Sequence, residues 1–397
     1  MAPVPRLKPS SGLALFSAGF RPFFLFGALY AGVAIALWLP EYFGAIRIET
    51  AFSARDWHMH EMLYGYIAAV ITGFLFTAIP NWTGRLPLQG APLIGLTLLW
   101  LAGRAAVAFS AVIGGWLAAA IDSAFLLSVI AFAARELSHG KNNHNLRVLV
   151  AVLVLLAGNV VFHVEALVNG SADYGTRIGL AGALILIMLI GGRIIPSFTR
   201  NWLARENPGA LPASSGRFDL AAIIIAALAL LAWIVAPEAR ATGLALLLAG
   251  ALHAVRLARW RGYRASRDRL VFVLHVGYLF IPLGFFAIGL ASFDLAPSSA
   301  GVHLWTIGAI GTMTLAVMTR ASLAHTGRAI VASPAAQAIY VLVVAAAIAR
   351  ALAAIHPAWS EALLIGAAGA WVAAFAGFAL AYGAILICPR RVGSSKK

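Results

Sequence analysis

The stretch DWHMHEMLYGY, Asp56 to Tyr66, sets His58, His60 and Glu61 at the mouth of an apolar run that continues to Ile79. Imidazole is the commonest protein metal ligand and a standard axial ligand for haem, and an adjacent carboxylate can fix the ring or move protons. The chain has 10 histidines, and the apolar runs sort them. His139 and His144, in SHGKNNHN, and His356, before Pro357, read as surface residues. His58, His60, His163 and His303 fall at ends of runs facing one side of a membrane, while His253, His275 and His325 gather toward the other. Ionisable groups in or bordering a span are costly and usually face a bundle interior. One histidine near a helix end is commonly an interfacial hydrogen-bonder. Several of them, on several helices and at two depths, predict at least one metal or haem site.

Spacing narrows the roles. Residues two apart on an α-helix point about 200° from each other, so His58 and His60 cannot share an ion unless the first lies in the leading loop. His60 and Tyr64 share a face, as do His58 and Glu61. Asn159, four before His163, and Tyr278, three after His275, are placed to orient an imidazole. Gly308, Gly311 and Thr312 beyond His303 leave room for a flat macrocycle or for another helix. Asp122 and Arg104 stand alone in their spans as candidates to pair, and Glu165 lies beside the outer histidines. Arg193, Arg200, Arg320 and Arg328 suit haem propionates or lipid headgroups. For Glu61 the bland alternative is an exposed carboxylate at a helix N-terminus, favoured by the helix dipole by about 0.3–1 kcal/mol.

The elements that position these groups are membrane helices. Of 397 residues 62% are hydrophobic and 11% charged, with a mean hydropathy of +0.90, outside the range of soluble domains. A bilayer core needs about 20 apolar residues per helix, and the runs predict an all-α polytopic bundle of twelve spans. These are residues 22–39, 60–79, 91–109, 114–134, 146–168, 177–196, 218–235, 241–257, 269–291, 302–320, 334–354 and 361–387. They form one integral-membrane domain, 1–397, with short tails 1–20 and 389–397. MAPVPRLKPS precedes the first span without a small-residue cleavage site, which predicts a retained first helix. GFLFTAIPNW and GGRIIPSFTRNW form a faint repeat in which Ile-Pro is expected to stop a helix and Trp to anchor it at the interface.

Charge gives orientation. The net charge is +15, and 23 of the 29 Lys and Arg fall on one side when both termini are cytoplasmic, as the positive-inside rule requires. RLARWRGYRASRDR, Arg256 to Arg269, is then a topology determinant and a contact for anionic lipid, and no nucleic-acid partner is expected. The single cysteine, Cys388, excludes disulfides, cysteine-based zinc and iron–sulfur sites, and c-type haem attachment.

FSAGFRPFFLFGALYA, DWHMHEMLYGY with FLFTAIPNWTGR, GGRIIPSFTRNWL, LHVGYLFIPLG and MTLAVMTRASLAHTGR together resemble the NnrS family of bacterial inner-membrane proteins. The blocks span residues 16 to 328; the last two helices are generic. The resemblance implies a twelve-helix protein of the bacterial inner membrane that contains haem b and copper. It further implies a role in nitric oxide metabolism, denitrification and resistance to nitrosative stress, with nitric oxide or iron-nitrosyl species as partners and an unknown electron donor. Redox enzymology of a haem-copper oxidoreductase is compatible with it.

On both grounds the expected haem-ligand pair is His60 and His303, with His58 and His163 as alternatives or copper ligands. Cofactor binding extends to His275, Arg193 and Arg320. His253, His275 and His325 are expected to form a second metal site, about 30 Å away across the bilayer. Glu61 and Tyr64 are the catalytic candidates. A proton- or ion-coupled transporter or sensor, using the histidines and Asp122 as a path, is the alternative from another class.

Overall fold

In a bilayer only hydrogen bonding within a segment satisfies the backbone, which makes each long apolar run a helix. The computed structural model describes residues 12–138 and 147–390, so His139, His144 and the tail segments 1–11 and 391–397 lie outside the described residues. Among the described residues twelve helices are long and apolar enough to cross a membrane. They are α1 (Phe20–Tyr42), α2 (Ala54–Thr83), α3 (Ala91–Ala108), α4 (Gly115–Ser138), α5 (Leu149–Asn169), α6 (Asp173–Glu206), α7 (Arg217–Val235), α8 (Arg240–Arg259), α9 (Arg269–Ala291), α10 (Ser298–His325), α11 (Pro334–Ile355) and α12 (Pro357–Ile387). All twelve expected spans are present, and among the described residues there is no strand. Large apolar side chains such as Leu228 and Leu380 point outward, the reverse of a water-soluble surface and the arrangement hydrocarbon favours.

Three departures from the expected boundaries bear on the site. First, α2 begins at Ala54, where Ser53 caps it by accepting the Asp56 N–H at 3.1 Å; His58 and His60 are therefore within the helix, not in a leading loop. Second, α2 runs through Pro80 and α6 through Pro196, so Ile-Pro stops neither helix. Continuing past a proline gives up one backbone bond, whereas stopping in an apolar medium strands several. The stop of α2 is Gly84, at φ 73°, whose N–H closes onto the Pro80 carbonyl at 3.0 Å, a left-handed C-terminal cap. Third, α2 and α10 each contain a π-helical segment, Glu61–Ile67 and Leu304–Gly311, beginning directly after His60 and His303. Such widened turns re-aim side chains and are frequent at functional sites.

The chain divides into two compact units, residues 1–182 with 321–329 and 378–397, and residues 183–320 with 330–377. In the first, α1 lies against α2: Phe23 and Phe24 occupy the place of a side chain at Gly73, where a Cβ would come within 2.9 Å of the Phe24 ring. Trp57, Tyr64, Trp100, Phe125 and Phe162 complete its buried core. Arg21, also buried, donates from Nη1 to the carbonyls of Leu386 and Cys388, each at 2.7 Å. In the second unit, Trp260, Tyr278, Phe285 and Trp305 are buried, and the Trp305 indole donates to the Ile281 carbonyl at 3.1 Å.

Candidate metal centre

Helices α1 to α5 each contribute to one polar cluster in the apolar interior of the first unit. His60 and Glu61 come from α2, Arg104 from α3, Asp122 from α4, and Asn159 and His163 from α5; none is more than 5% exposed. Tyr30 of α1 donates its hydroxyl to Glu61 Oε2. Arg104 spans the two acids: Nη1 donates to Glu61 Oε2 at 2.6 Å, and Nη2 donates to Asp122 Oδ1. Close approach of the helices depends on absent side chains. A Cβ at Gly65 would run into Arg104 Nη1 of α3 and lie 3.2 Å from the Tyr30 ring of α1, and one at Gly103 would lie 3.0 Å from Asp122 Oδ1.

The histidines sit on this frame. His60 Nδ1 is 3.0 Å from Glu61 Oε1, and Nε2 is 3.0 Å from Asn159 Oδ1 and 3.3 Å from Asp122 Oδ2. His163 Nε2 is 3.1 Å from the same Asp122 oxygen, to which Asn159 Nδ2 donates at 2.8 Å. Both nitrogens of His60 thus face oxygen acceptors, and a neutral ring can satisfy only one of them. Two carboxylates against one guanidinium leave one negative charge, which in a buried site needs a partner. A second proton on His60, or a metal ion in place of a ring proton, supplies it.

The donor set fits an ion. His60, Asp122 and His163 offer one ligand atom each, all within 4.8 Å of one another, and are the one such group of three or more among the described residues. Bonds of about 2.0 Å in a tetrahedron place donors about 3.3 Å apart, close to the 3.3 and 3.1 Å from Asp122 Oδ2 to the two imidazoles. His163 Nδ1 is buried with no hydrogen bond. Two imidazoles and a carboxylate suit copper, zinc or iron(II). A macrocycle does not fit at His60: the rings of Phe52, Tyr64, Phe162 and His163 lie 5.4, 5.4, 5.1 and 4.8 Å from its centre.

The other candidates fall elsewhere. Glu61 is fully buried, which overturns the exposed-carboxylate alternative. His58 stacks on Trp38 with centroids 4.3 Å apart. Tyr64 shares the face of His60, but its hydroxyl donates to the Gly175 carbonyl at 2.7 Å, fastening α2 to α6. Asn159 orients His60 rather than the His163 of its own helix. Glu165 accepts the N–H groups of Tyr174 and Gly175 at 3.1 and 2.7 Å and so caps α6.

His253, His275 and His325 form no group of three ligands among the described residues. His325 belongs to the first unit and lies exposed, 5.5 Å from the Phe20 ring. In the second unit His253 Nδ1 meets the Tyr278 hydroxyl at 2.8 Å. That hydroxyl also accepts from Arg256 Nη1 at 2.8 Å, and Arg256 Nε donates to Asp219 at 2.9 Å. Tyr278 therefore serves His253, while His275 Nε2 meets Thr199 Oγ1 at 2.8 Å. His303 is in the second unit, its Nδ1–H donating to the Ser299 carbonyl at 2.7 Å. The glycines beyond it hold neighbouring helices: a Cβ at Gly308 would meet Phe280, and one at Gly311 would meet Trp371. Arg193 and Arg200 are exposed, Arg200 donating to the Pro212 carbonyl at 2.7 Å, and Arg320 lies 4.1 Å over Phe198. His356 is exposed.

Asp122 as a ligand, Arg104 as the bridge between both acids, and Tyr30 were not picked out as site residues from the sequence. The signal for the first two was their isolation in apolar spans; Tyr30 carried none. Against known families, residues 14–390 match the profile described as NnrS protein. No curated protein matches the chain.

Proposed function

The chain belongs to the NnrS family, a metal-binding family of membrane proteins related to nitric oxide, and from that premise we propose that it is a copper- and haem-containing protein of the bacterial inner membrane that binds nitric oxide or iron-nitrosyl species and helps remove them. The observation that carries the copper half is the convergence of His60, His163 and Asp122 in a buried interior. Copper there would supply a coordination position for the ligand. His60, His163 and Asp122 would hold the ion; Asn159 and Glu61 orient the His60 ring; Arg104 keeps the two acids side by side. Phe52 and Phe162 exclude water, so a small apolar molecule dissolved in the bilayer reaches the site more readily than a hydrated ion does. Glu61, bonded to His60 and to the Tyr30 hydroxyl, is the group placed to hold a proton beside the centre.

The haem half rests on His303. Its Nδ1–H donates to a backbone carbonyl, which leaves Nε2 as the nitrogen that carries the lone pair, the arrangement metal-ligating histidines use. The protein purified in detergent should contain copper and iron by metal analysis, and its absorption spectrum should change on addition of nitric oxide. A preparation without copper after expression in copper-supplemented cells, and with no spectral response, would overturn the proposal.

A further inference from the structure

The segment from Arg256 to Arg269 holds six arginines, and the structure gives them different tasks. Arg256 is buried and bonded to Asp219 and Tyr278. Arg264 donates to the carbonyls of Asn207 and Pro208, at 3.1 and 3.0 Å, and to that of Ala210, which fastens the loop after α6. Arg259 lies 4.5 Å over the Phe218 ring and 4.0 Å from Asp219, the carboxylate that Arg256 Nε already holds at 2.9 Å. One acid between two guanidinium groups leaves a positive charge over. No carboxylate of the described residues pairs with Arg261.

Arg261 has a left-handed backbone, φ 55° and ψ 37°, a conformation glycine adopts freely and a larger residue does not. The chain therefore keeps an arginine at a cost to its own fold, a pattern that clusters at ligand clamps. Arg261 and Arg259 line a cavity of about 470 Å³ together with Leu211, Val255, Ala258 and Tyr263. Both arginines are partly exposed, so a ligand in the cavity reaches their charge. Val255 and Ala258 belong to the last turns of α8, and the arginines stand where that span ends, so the groove is apolar toward the membrane and basic at its boundary. Its far wall is fixed: the Ala213 N–H donates to the Arg259 carbonyl at 3.1 Å, and Arg264 holds the residues before it.

We propose that this groove binds one anionic phospholipid, its phosphodiester on Arg261 and Arg259 and the start of an acyl chain along Val255, Ala258 and Leu211. Guanidinium pairs with phosphate oxygens through parallel hydrogen bonds. No acid lines the groove, so the surplus charge asks for an anion, and a lipid of zero net charge leaves it unbalanced. The apolar wall asks for a hydrocarbon chain on the same molecule, which a free phosphate does not bring. Tyr263, 70% exposed, suits the headgroup level, where tyrosine is enriched. Net charge makes the whole segment a lipid contact; the groove assigns a bound lipid to two of its six arginines. The inference stands on the second unit alone and is independent of the metal reading.

The test follows the full-length protein in detergent by native mass spectrometry and by thermal unfolding, with dioleoylphosphatidylglycerol, dioleoylphosphatidylcholine and inorganic phosphate as probes. We expect saturable binding of phosphatidylglycerol, about fivefold or more tighter than that of phosphatidylcholine, and no effect of inorganic phosphate at the same concentration. Arg261→Gly should weaken phosphatidylglycerol by about fivefold or more, while its unfolding midpoint without lipid stays equal or rises, because glycine relieves the left-handed backbone. Arg267→Gln removes the same charge from an exposed residue of the segment outside the groove and should bind as wild type does. Equal weakening in Arg267→Gln and Arg261→Gly would show diffuse charge and no site. Equal binding of the two lipids, phosphate binding as tight as that of phosphatidylglycerol, or unchanged lipid affinity in Arg261→Gly would each overturn the assignment. A lower lipid-free midpoint in Arg261→Gly would overturn the clamp and return Arg261 to the fold.

Discussion

Glu61 Oε1 lies 3.0 Å from Nδ1 of His60, its immediate neighbour in the chain. Adjacent residues on a regular α-helix diverge by about 100°, and the π-helical segment that starts at Glu61 accompanies the departure. Both side chains enter one interior, His60 reaching Asp122 and Glu61 reaching Arg104.

Glu61→Gln keeps the shape and removes the charge. The variant should fold, bind copper at least tenfold more weakly, and show a displaced Cu(II) absorption band, because the protein part of the cluster loses its surplus negative charge. Titration with a copper chelator competitor reads the affinity. Unchanged affinity together with an unchanged spectrum would reduce Glu61 to a structural partner of Arg104.

Arg104→Ala leaves two carboxylates facing each other without their cation. Breaking a buried ion pair costs about 3–5 kcal/mol, so thermal unfolding in detergent should move down by many degrees, with Arg104→Lys intermediate. Added copper should restore part of the loss in Arg104→Ala, since an ion then replaces the missing positive charge. A melting curve equal to wild type would sink the bridging role.

Copper content separates the histidines. His60→Ala, His163→Ala and Asp122→Ala should each bring copper per folded protein below about a third of the wild-type value, whereas His58→Ala should retain it. His303→Ala should retain copper and lose iron. If all three cluster variants keep a full complement of copper, the centre lies elsewhere.

Tyr64→Phe removes one buried hydrogen bond, to Gly175, at a cost of about 1 kcal/mol. Copper affinity and nitric oxide binding should be unchanged. A folded Tyr64→Phe protein with wild-type stability but lost nitric oxide turnover would return Tyr64 to the role of proton donor.

The spans were legible because hydrocarbon imposes one rule on every run; even α9 begins and ends where its apolar pattern does, at Arg269 and Ala291. The expected proline stops are absent because Pro80 and Pro196 obey that same rule more strongly than their own preference. Of the site, His60, His163 and Glu61 were legible from residue type and depth. Asp122 as the oxygen shared by two imidazoles was not, since a helix's rotation about its axis is set by neighbours far away in the chain. Depth alone groups His253 with His275, whereas their partners differ, Tyr278 for one and Thr199 for the other: equal depth is readable from a sequence, and azimuth is not.

Arg21 is the second residue of α1, and its two acceptors, Leu386 and Cys388, lie at the end of α12. The ribosome makes one end of that contact early and the other almost last, so the first unit waits through the synthesis of the second before this contact can close. Until then the Arg21 guanidinium stands without these two carbonyls. A nonsense mutation that removes only the last turn of α12 would therefore injure the oldest part of the molecule, and quality control would meet the fault at the opposite end of the chain from the lesion.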